Sequence, residues 1–545
     1  MAFEGFDKAS VDAVARSLYV GFRRDSGLEP DEWSTLAPSE QKLWRRVVRR
    51  AMRAFAKEIP RNDADYNSGS FPIHCAAVRR RATEQQRKLD ARDTLACKSV
   101  LVDRDESIPP LAWLCSIDRD VHAFTIGRSV EHNEQRIVEG VWAGDFATTK
   151  IEESDCMFGS GAALGEQVVF VPPKHNYEHL FVLHDCALQR TYVANSLCFV
   201  LAAAGSEIEE SFLAMMPAGL LALGRLRPAN IDFYDPLVCG NARFRLFKMM
   251  YYNFSADHAG VVKLHECRLH PPAGNFKEYR DHLSKQLGAL FANARHPGRS
   301  TRFEPIATVS TGYDSVACAA LAKEQGCVEA LTLDVSVKGK DDHGGDVAAS
   351  LGLRLISRRH VMGDDIANLR VEFSGHLQEA VAEFVATQGV GDDIAFQPFE
   401  SCLSDRLLVT GGYGDTIWRR QPPTPPGLPT GTVFSKSITE FRLRVGFSYL
   451  PLPFIAARFP QAVNAISQSA EMQPFCLAQE YDRPIPRRIA EEAGVPREAF
   501  GQRKVATAPL PTNHQALFVA SVRKVMNRYR QGIRRVPPPV AQRPA

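Results

Sequence analysis

Two turns of small residues, each ending in an aspartate, hold the side chains best suited to chemistry in this chain. The first is Ala307-Thr-Val-Ser-Thr-Gly-Tyr-Asp-Ser315. Its β-branched start predicts a buried strand, Ser310-Thr311-Gly312 breaks it, and an Ala-rich helix follows. Strand, small-residue turn and helix together aim backbone N–H groups and a helix N-terminus at a phosphate. Ser310, Thr311, Gly312, Tyr313 and Ser315 would supply backbone and hydroxyl donors. Asp314, in the first helical turn, could hold Mg²⁺. This pattern predicts a nucleotide triphosphate as ligand. It is neither a Walker loop, since no Gly-Lys-Ser/Thr follows, nor a G-x-G-x-x-G dinucleotide fingerprint.

The second turn lies in Arg406-Leu-Leu-Val-Thr-Gly-Gly-Tyr-Gly-Asp-Thr-Ile-Trp418. Strand residues again run into glycines, here Gly411, Gly412 and Gly414, and then into Asp415. A third segment, Gly501-Gln-Arg-Lys-Val-Ala506, brings two cations, Arg503 and Lys504. In order and spacing the three resemble the asparagine synthetase-like ATP pyrophosphatases, the PP-loop family. The first turn is similar to that family's S-G-G-x-D-S loop, with Thr311 where the family has Gly. The second resembles its G-x-G-x-D-E loop, with Tyr413 in place of a Gly and Thr416 in place of the acid. The third resembles its R-x-K-type segment.

This resemblance implies a function. Asp314 and Asp415 would hold Mg²⁺ on the pyrophosphate of ATP while a carboxylate attacks the α-phosphorus. AMP and pyrophosphate leave, and an amine takes the acyl group, forming an amide. Lys504 would stabilise negative charge at the reacting centre, with Arg503 as its rival. The strand ending at Leu333 and Asp334 would run past adenine, and Asp334 would contact ribose or cap a loop. Lys338 and Lys340 would reach phosphate or remain solvated. β-Lactam synthetases carry a tyrosine in the second loop that helps deprotonate the attacking nitrogen. Theirs lies one place further from the Asp than Tyr413 does, so a packing role for Tyr413 stays open. Glu400 is either an acid/base partner or a surface acid.

The elements around these turns alternate. Strands are expected at 306–310, 329–334, 353–357 and 406–410, with helices at 315–325, 343–351 and 375–388. That pattern predicts an α/β doubly wound parallel sheet of Rossmann-like type over 276–532, with ligands at the strand C-terminal ends. An amphipathic helix (Tyr279, Leu283, Leu287, Leu290, Phe291) leads into it. Residues 434–528 read as mostly helical, Gln421–Thr432 as a loop lining the site, and 533–545 as a disordered tail. Short β-like runs at 99–102, 168–171, 179–183 and 261–264 make 61–275 an α+β domain, either a degenerate glutaminase-like fold or an unrelated one. Residues 1–60 read as a small helical module.

Composition sets the remaining bounds. The chain has 545 residues, is 45% hydrophobic and 24% charged, and carries a net charge of +3. These are the proportions of a soluble globular protein of two or three domains, and so small a charge gives no argument for nucleic acid. The basic runs at 45–53 and 79–88 read as solvated helix faces. Twelve cysteines without a C-x-x-C pair, and no basic-then-apolar leader, suggest reduced thiols in a cytoplasm. Apolar stretches at 197–205 and 212–224 are too short to span a bilayer and read as buried elements. Ala2 stands where asparagine synthetases have their glutaminase Cys, so that activity is not expected; Cys75 and Cys97 read as structural thiols. The amine would then be ammonia, an amino acid or a group within the substrate. A homodimer remains open. A nucleotide-responsive scaffold without turnover is the rival reading, motivated by Thr311, Tyr413 and Thr416. A tRNA-modifying pyrophosphatase is a third.

Overall fold

A computed structural model describes residues 99–533 apart from 176, 206–207, 224–236, 266–273, 335–340, 360–374, 388–392, 421–437, 458, 478–480 and 503–514. The chain divides between Asp93 and Thr94, and the described residues all lie in the second unit. The expected helical module, both basic runs, Cys75, Cys97, the loop at 421–432, Lys338, Lys340, Arg503, Lys504 and the C-terminal tail lie outside the described residues.

The first region is built of strands β1 (Ser99–Arg104), β2 (Trp113–Asp118), β3 (Val121–Ile126), β4 (Glu131–His132), β5 (Arg136–Trp142), β6 (Met157–Ala163), β7 (Val169–Val171), β8 (Leu180–Asp185), β9 (Arg190–Ala194), β10 (Leu237–Gly240), β11 (Phe244–Met249), β12 (Phe254–Ala256) and β13 (Val262–Leu264). They form a seven-stranded sheet, β1-β3-β2-β9-β8-β11-β10, and a six-stranded sheet, β13-β12-β7-β6-β5-β4. Pairing is antiparallel except between β1 and β3. One face of each sheet meets the other in a shared core of Trp113, Ile117, Phe124, Ile137, Phe170, Val182, Val193 and Phe254. Alternation along β9 shows why: Val193 enters this core, while Tyr192 and Ala194 turn to the opposite face. There they meet helices α1 (Leu197–Ala203) and α2 (Glu210–Leu223), the two apolar stretches read as buried elements. The four β-like runs expected here coincide with β1, β7, β8 and β13; the strands between them carried a weaker signal.

Helix α3 (Phe276–Arg295) opens the second region, capped by the Asn275 side chain on the Glu278 N–H at 3.0 Å. Its expected stripe of Tyr279, Leu283, Leu287, Leu290 and Phe291 is buried. Strands β14 (Glu304–Thr308), β15 (Glu329–Leu333), β16 (Arg354–Arg358), β17 (Arg406–Thr410) and β18 (Ser448–Pro451) then form one sheet in the order β16-β15-β14-β17-β18. All four pairings are parallel. Strand β18 falls in a stretch expected to be mostly helical. Only four residues long and wholly buried, it is too short to show a period. Helices α4 (Tyr313–Glu324), α5 (Gly345–Leu351) and α6 (Gly375–Ala386) lie between the strands in sequence, as expected. Helices α7 (Gly414–Ile417), α8 (Thr439–Val445), α9 (Pro460–Gln468), α10 (Pro484–Glu492) and α11 (Gln515–Ile533) follow, and a single helical turn, Glu400–Leu403, precedes β17. The described residues thus have mixed α/β content with a parallel sheet. Among them no helix is long and apolar enough to cross a membrane.

A buried charge cluster joins the two regions. Arg442 of α8 donates to Glu139 of β5 at 2.8 and 3.1 Å and also to Glu178; all three are at most 2% exposed. Two carboxylates share one guanidinium, so one of them is favoured neutral. Burial accordingly pushes the Glu178 carboxyl up to about 7, with Arg442 opposing and Glu139 assisting. His175, 3.6 Å from Glu178, is held down to about 3 by burial and then by Arg442, so that contact is not an ion pair near neutral pH.

The pH consequence has a defined sign. A carboxyl whose folded value is raised contributes stability that is fully present below about 4.5 and is lost as the pH rises through about 7. His175 acts oppositely, so the signature belongs to a difference. The stability of wild type minus that of Glu178→Gln, from urea unfolding, is expected to fall by about 1–3 kcal/mol between pH 4.5 and 7.5. A flat difference would show that Glu178 keeps its ordinary value.

Candidate functional site

The two aspartate-bearing turns follow β14 and β17, which are paired neighbours, so both open at the same end of the sheet. They touch through backbone. A Cβ built on Gly414 would stand 2.5 Å from the Asp314 Cγ, and one on Gly411 would stand 2.6 Å from the Asp314 carbonyl carbon and the Ser315 nitrogen. Real Cβ atoms do not approach so closely; at both positions only glycine lets the Asp314 turn pack. Asp415, next in sequence to Gly414, is exposed, and Asp314 is half-buried. Two carboxylates from adjoining turns, completed by water, are a donor set suited to Mg²⁺. Among the described residues, no group of three or more His, Cys, Asp or Glu side chains could hold a metal ion.

The donors of the first turn have internal acceptors. Thr311 gives its N–H and hydroxyl to the Asp342 carboxylate at 3.0 and 2.7 Å. Gly312 N–H donates to Ser310 Oγ at 3.1 Å, and Ser310 and Ser315 share a hydroxyl hydrogen bond of 2.8 Å. Asp342 reaches the turn because Gly344 lies against the Val309–Ser310 backbone, where a Cβ would meet carbonyl carbon at 2.7 Å. The Asp-Asp-His-Gly-Gly run at 341–345 was the available sign, since paired glycines mark a close backbone approach.

Tyr413 adopts a left-handed φ of 73° and is 4% exposed. Its ring lies 4.5 Å from that of Phe454 at an interplanar angle of 8°. Burial pushes its phenol far up, with Tyr251 and Asp415 adding to the effect. A phenol so held is a poor base at neutral pH, and the geometry favours the packing role. The first region contributes here too: Tyr177 packs edge-on against Phe454 at 5.0 Å, and its ring lies 3.2 Å from where a Cβ on Gly412 would stand. Asp334 accepts from the Ser357 hydroxyl on the neighbouring strand β16. Leu333 ends β15 on the parallel sheet. Glu400 is bound at 2.6 and 3.0 Å by Arg444, which also holds Glu383. It therefore belongs to a structural ion network. Buried Thr416 offers only a hydroxyl, 3.5 Å from Asp415 Oδ1.

The third segment begins at the first turn. Gly501 donates its N–H to the Thr311 carbonyl at 2.7 Å, and Phe500 packs edge-on against Tyr313 at 5.9 Å. The three motifs therefore converge, although Arg503 and Lys504 themselves lie outside the described residues. A fourth element, Tyr481–Arg487, had no sign beyond the prolines that start α10. Tyr481 packs against Tyr313 at 4.9 Å, and Arg487 donates to the Tyr313 hydroxyl. Compared with known proteins, the chain matches no family model and no curated protein.

Two glycines isolate the cost of this convergence. Gly501 (φ 68°) would place a Cβ 2.3 Å from the Tyr313 ring, whereas Gly494 (φ 85°) has nothing within 4 Å. Both alanine variants carry left-handed strain of about 1–2 kcal/mol. Gly501→Ala is expected to lose a further 1–3 kcal/mol, roughly, through overpacking. Urea unfolding of the pair tests this, equal losses being the contrary result.

Proposed function

We propose that the chain is an ATP-dependent ligase of the asparagine synthetase-like kind, adenylating a carboxylate and passing it to an amine with release of AMP and pyrophosphate. The observation that carries this reading is the packing of Asp314 against Gly411 and Gly414, which joins two aspartate-bearing turns from neighbouring parallel strands. The strand order steps outward from β14 in both directions, as a doubly wound Rossmann-like sheet would, and such sheets bind ligands where strand order diverges. The turns follow β14 and β17, the strands on either side of that point.

In this reading the triphosphate lies over the first turn. Ser310, Thr311, Gly312 and Ser315 exchange their internal acceptors for phosphoryl oxygens, and Asp314 and Asp415 would hold Mg²⁺. When bound, the ion neutralises charge on the departing pyrophosphate. Lys504, with Arg503 as alternative, would face the tetrahedral oxyanion formed when the amine attacks. Gly501 on the Thr311 carbonyl supports this by anchoring their segment at the turn. The two face-to-face sheets of the first region are compatible with a degenerate glutaminase-like fold, and their Tyr177 would wall the acyl side of the site. The substrates are then a small-molecule or peptide carboxylate and an amine, and a cytoplasmic setting suits them.

A second reading, a nucleotide-responsive scaffold, draws on the Asp342 contact. A carboxylate on the Thr311 donors competes with phosphate and repels it. The two readings part on turnover. With α-labelled ATP, Mg²⁺ and a panel of carboxylates and amines, the wild-type chain is expected to form labelled AMP. Asp314→Asn and Asp415→Asn are expected to lower that rate roughly a hundredfold or more. ATP binding without AMP formation across the panel would favour the scaffold. Asp342→Asn keeps acceptor geometry but removes the competing charge. It is expected to tighten Mg·ATP about three- to tenfold in calorimetric titration; weaker binding would mean that Asp342 supports the ligand.

A further inference from the structure

The segment Tyr481–Arg483 spans both turns. Tyr481 packs on Tyr313, and its hydroxyl lies 3.8 Å from where a Cβ on Gly312 would stand. Arg483 reaches the other turn, donating from Nη2 to the Asp415 carbonyl at 3.2 Å and from Nη1 to the Asp482 carbonyl at 3.1 Å. The residue is 8% exposed, and its Nε is buried with no hydrogen-bond partner among the described residues. Nor does a carboxylate among those residues pair with it. The adjacent Asp482 carboxylate instead takes Arg420 at 3.4 Å and the Leu477 N–H at 3.2 Å.

A guanidinium in this state is costly. It has left water, its charge meets two carbonyl dipoles and the Tyr481 ring at 5.7 Å rather than a carboxylate, and one N–H has no acceptor. Arginine is also the side chain whose planar fork can hold a backbone group on one edge and an anion on another. Arg483 lies at the backbone of Asp415, beside the place that the proposed reading gives to the pyrophosphate. We propose that Arg483 contacts the ligand directly: once the turns rearrange to admit the ligand, its now buried Nε–H donates to a phosphoryl oxygen of the β,γ unit while Nη2 fixes the second turn. The inference rests on the reading of these turns as a nucleotide site, and it adds a cation outside the three motifs.

The alternative is that Arg483 only holds the turn, and ligand selectivity separates the two roles. Mg·pyrophosphate, Mg·ATP and AMP are titrated calorimetrically into wild type, Arg483→Met and Arg483→Lys, with urea midpoints as the folding control. Arg483→Met is expected to weaken Mg·pyrophosphate and Mg·ATP about ten- to hundredfold, as for a lost hydrogen bond to a charged group, and to leave AMP nearly unchanged. Arg483→Lys keeps the charge and serves where the Met variant does not fold. It is expected to show the same selectivity to a smaller degree, because an ammonium cannot grip carbonyl and phosphate in one plane. Equal losses for all three ligands, or wild-type affinities in either variant, would overturn the proposal. Wild type binding none of the three would overturn the nucleotide reading and this inference with it, a result that needs no variant.

Discussion

The arrangement depends on one steric condition: the turns after β14 and β17 must meet at backbone distance. Neighbouring parallel strands bring their ends within reach, but side chains would normally hold the following turns apart. At 411 and 414 there are none, and Asp314 fills the space they would have occupied. The same economy recurs at Gly344 and Gly501, which admit the Asp342 loop and the third segment to the first turn. Four stretches far apart in sequence thus converge because glycine stands at each crossing.

Electrostatics gives the convergence its second character. Asp314, Asp415 and Asp342 bring negative charge to one end of the sheet, while Arg483 and Arg487 approach from α10. Asp342 is the member in tension. Its carboxylate satisfies two donors that a phosphoryl oxygen would need, so an anion entering there must displace it, and a cation would relieve the crowding. Tyr313 and Tyr481 close the apolar side of the turn. Burial holds both phenols above their ordinary range, which keeps them neutral partners rather than a further source of charge.

The parallel sheet was legible because its strands and helices alternate and each period is long enough to read. Strands β14 to β17 and helices α4 to α6 fall within a few residues of expectation. The two turns were legible for a different reason: glycine beside a short acidic residue has few uses, and two such runs each followed a strand. What escaped notice lacked a local signature. Strand β18, Ser-Tyr-Leu-Pro, is uniformly buried, and four residues without polar/apolar alternation carry no readable period. Arg483 looks like any arginine before a helix-starting proline, and its role depends on Asp415, far off in sequence. The packing of Tyr413 was undecidable for the same reason, since Phe454 lies well beyond any local window.

The charge cluster around Arg442 bears on how the molecule can be divided. Its guanidinium sits on α8, whereas both carboxylates come from the sandwich. Cutting the chain between the regions would therefore strand an unmatched cation on one fragment and two desolvated acids on the other. The sandwich is better regarded as half of a shared interior than as a detachable appendage, so damage to its distant strands should reach the two glycine turns as lost cooperativity rather than as a changed contact.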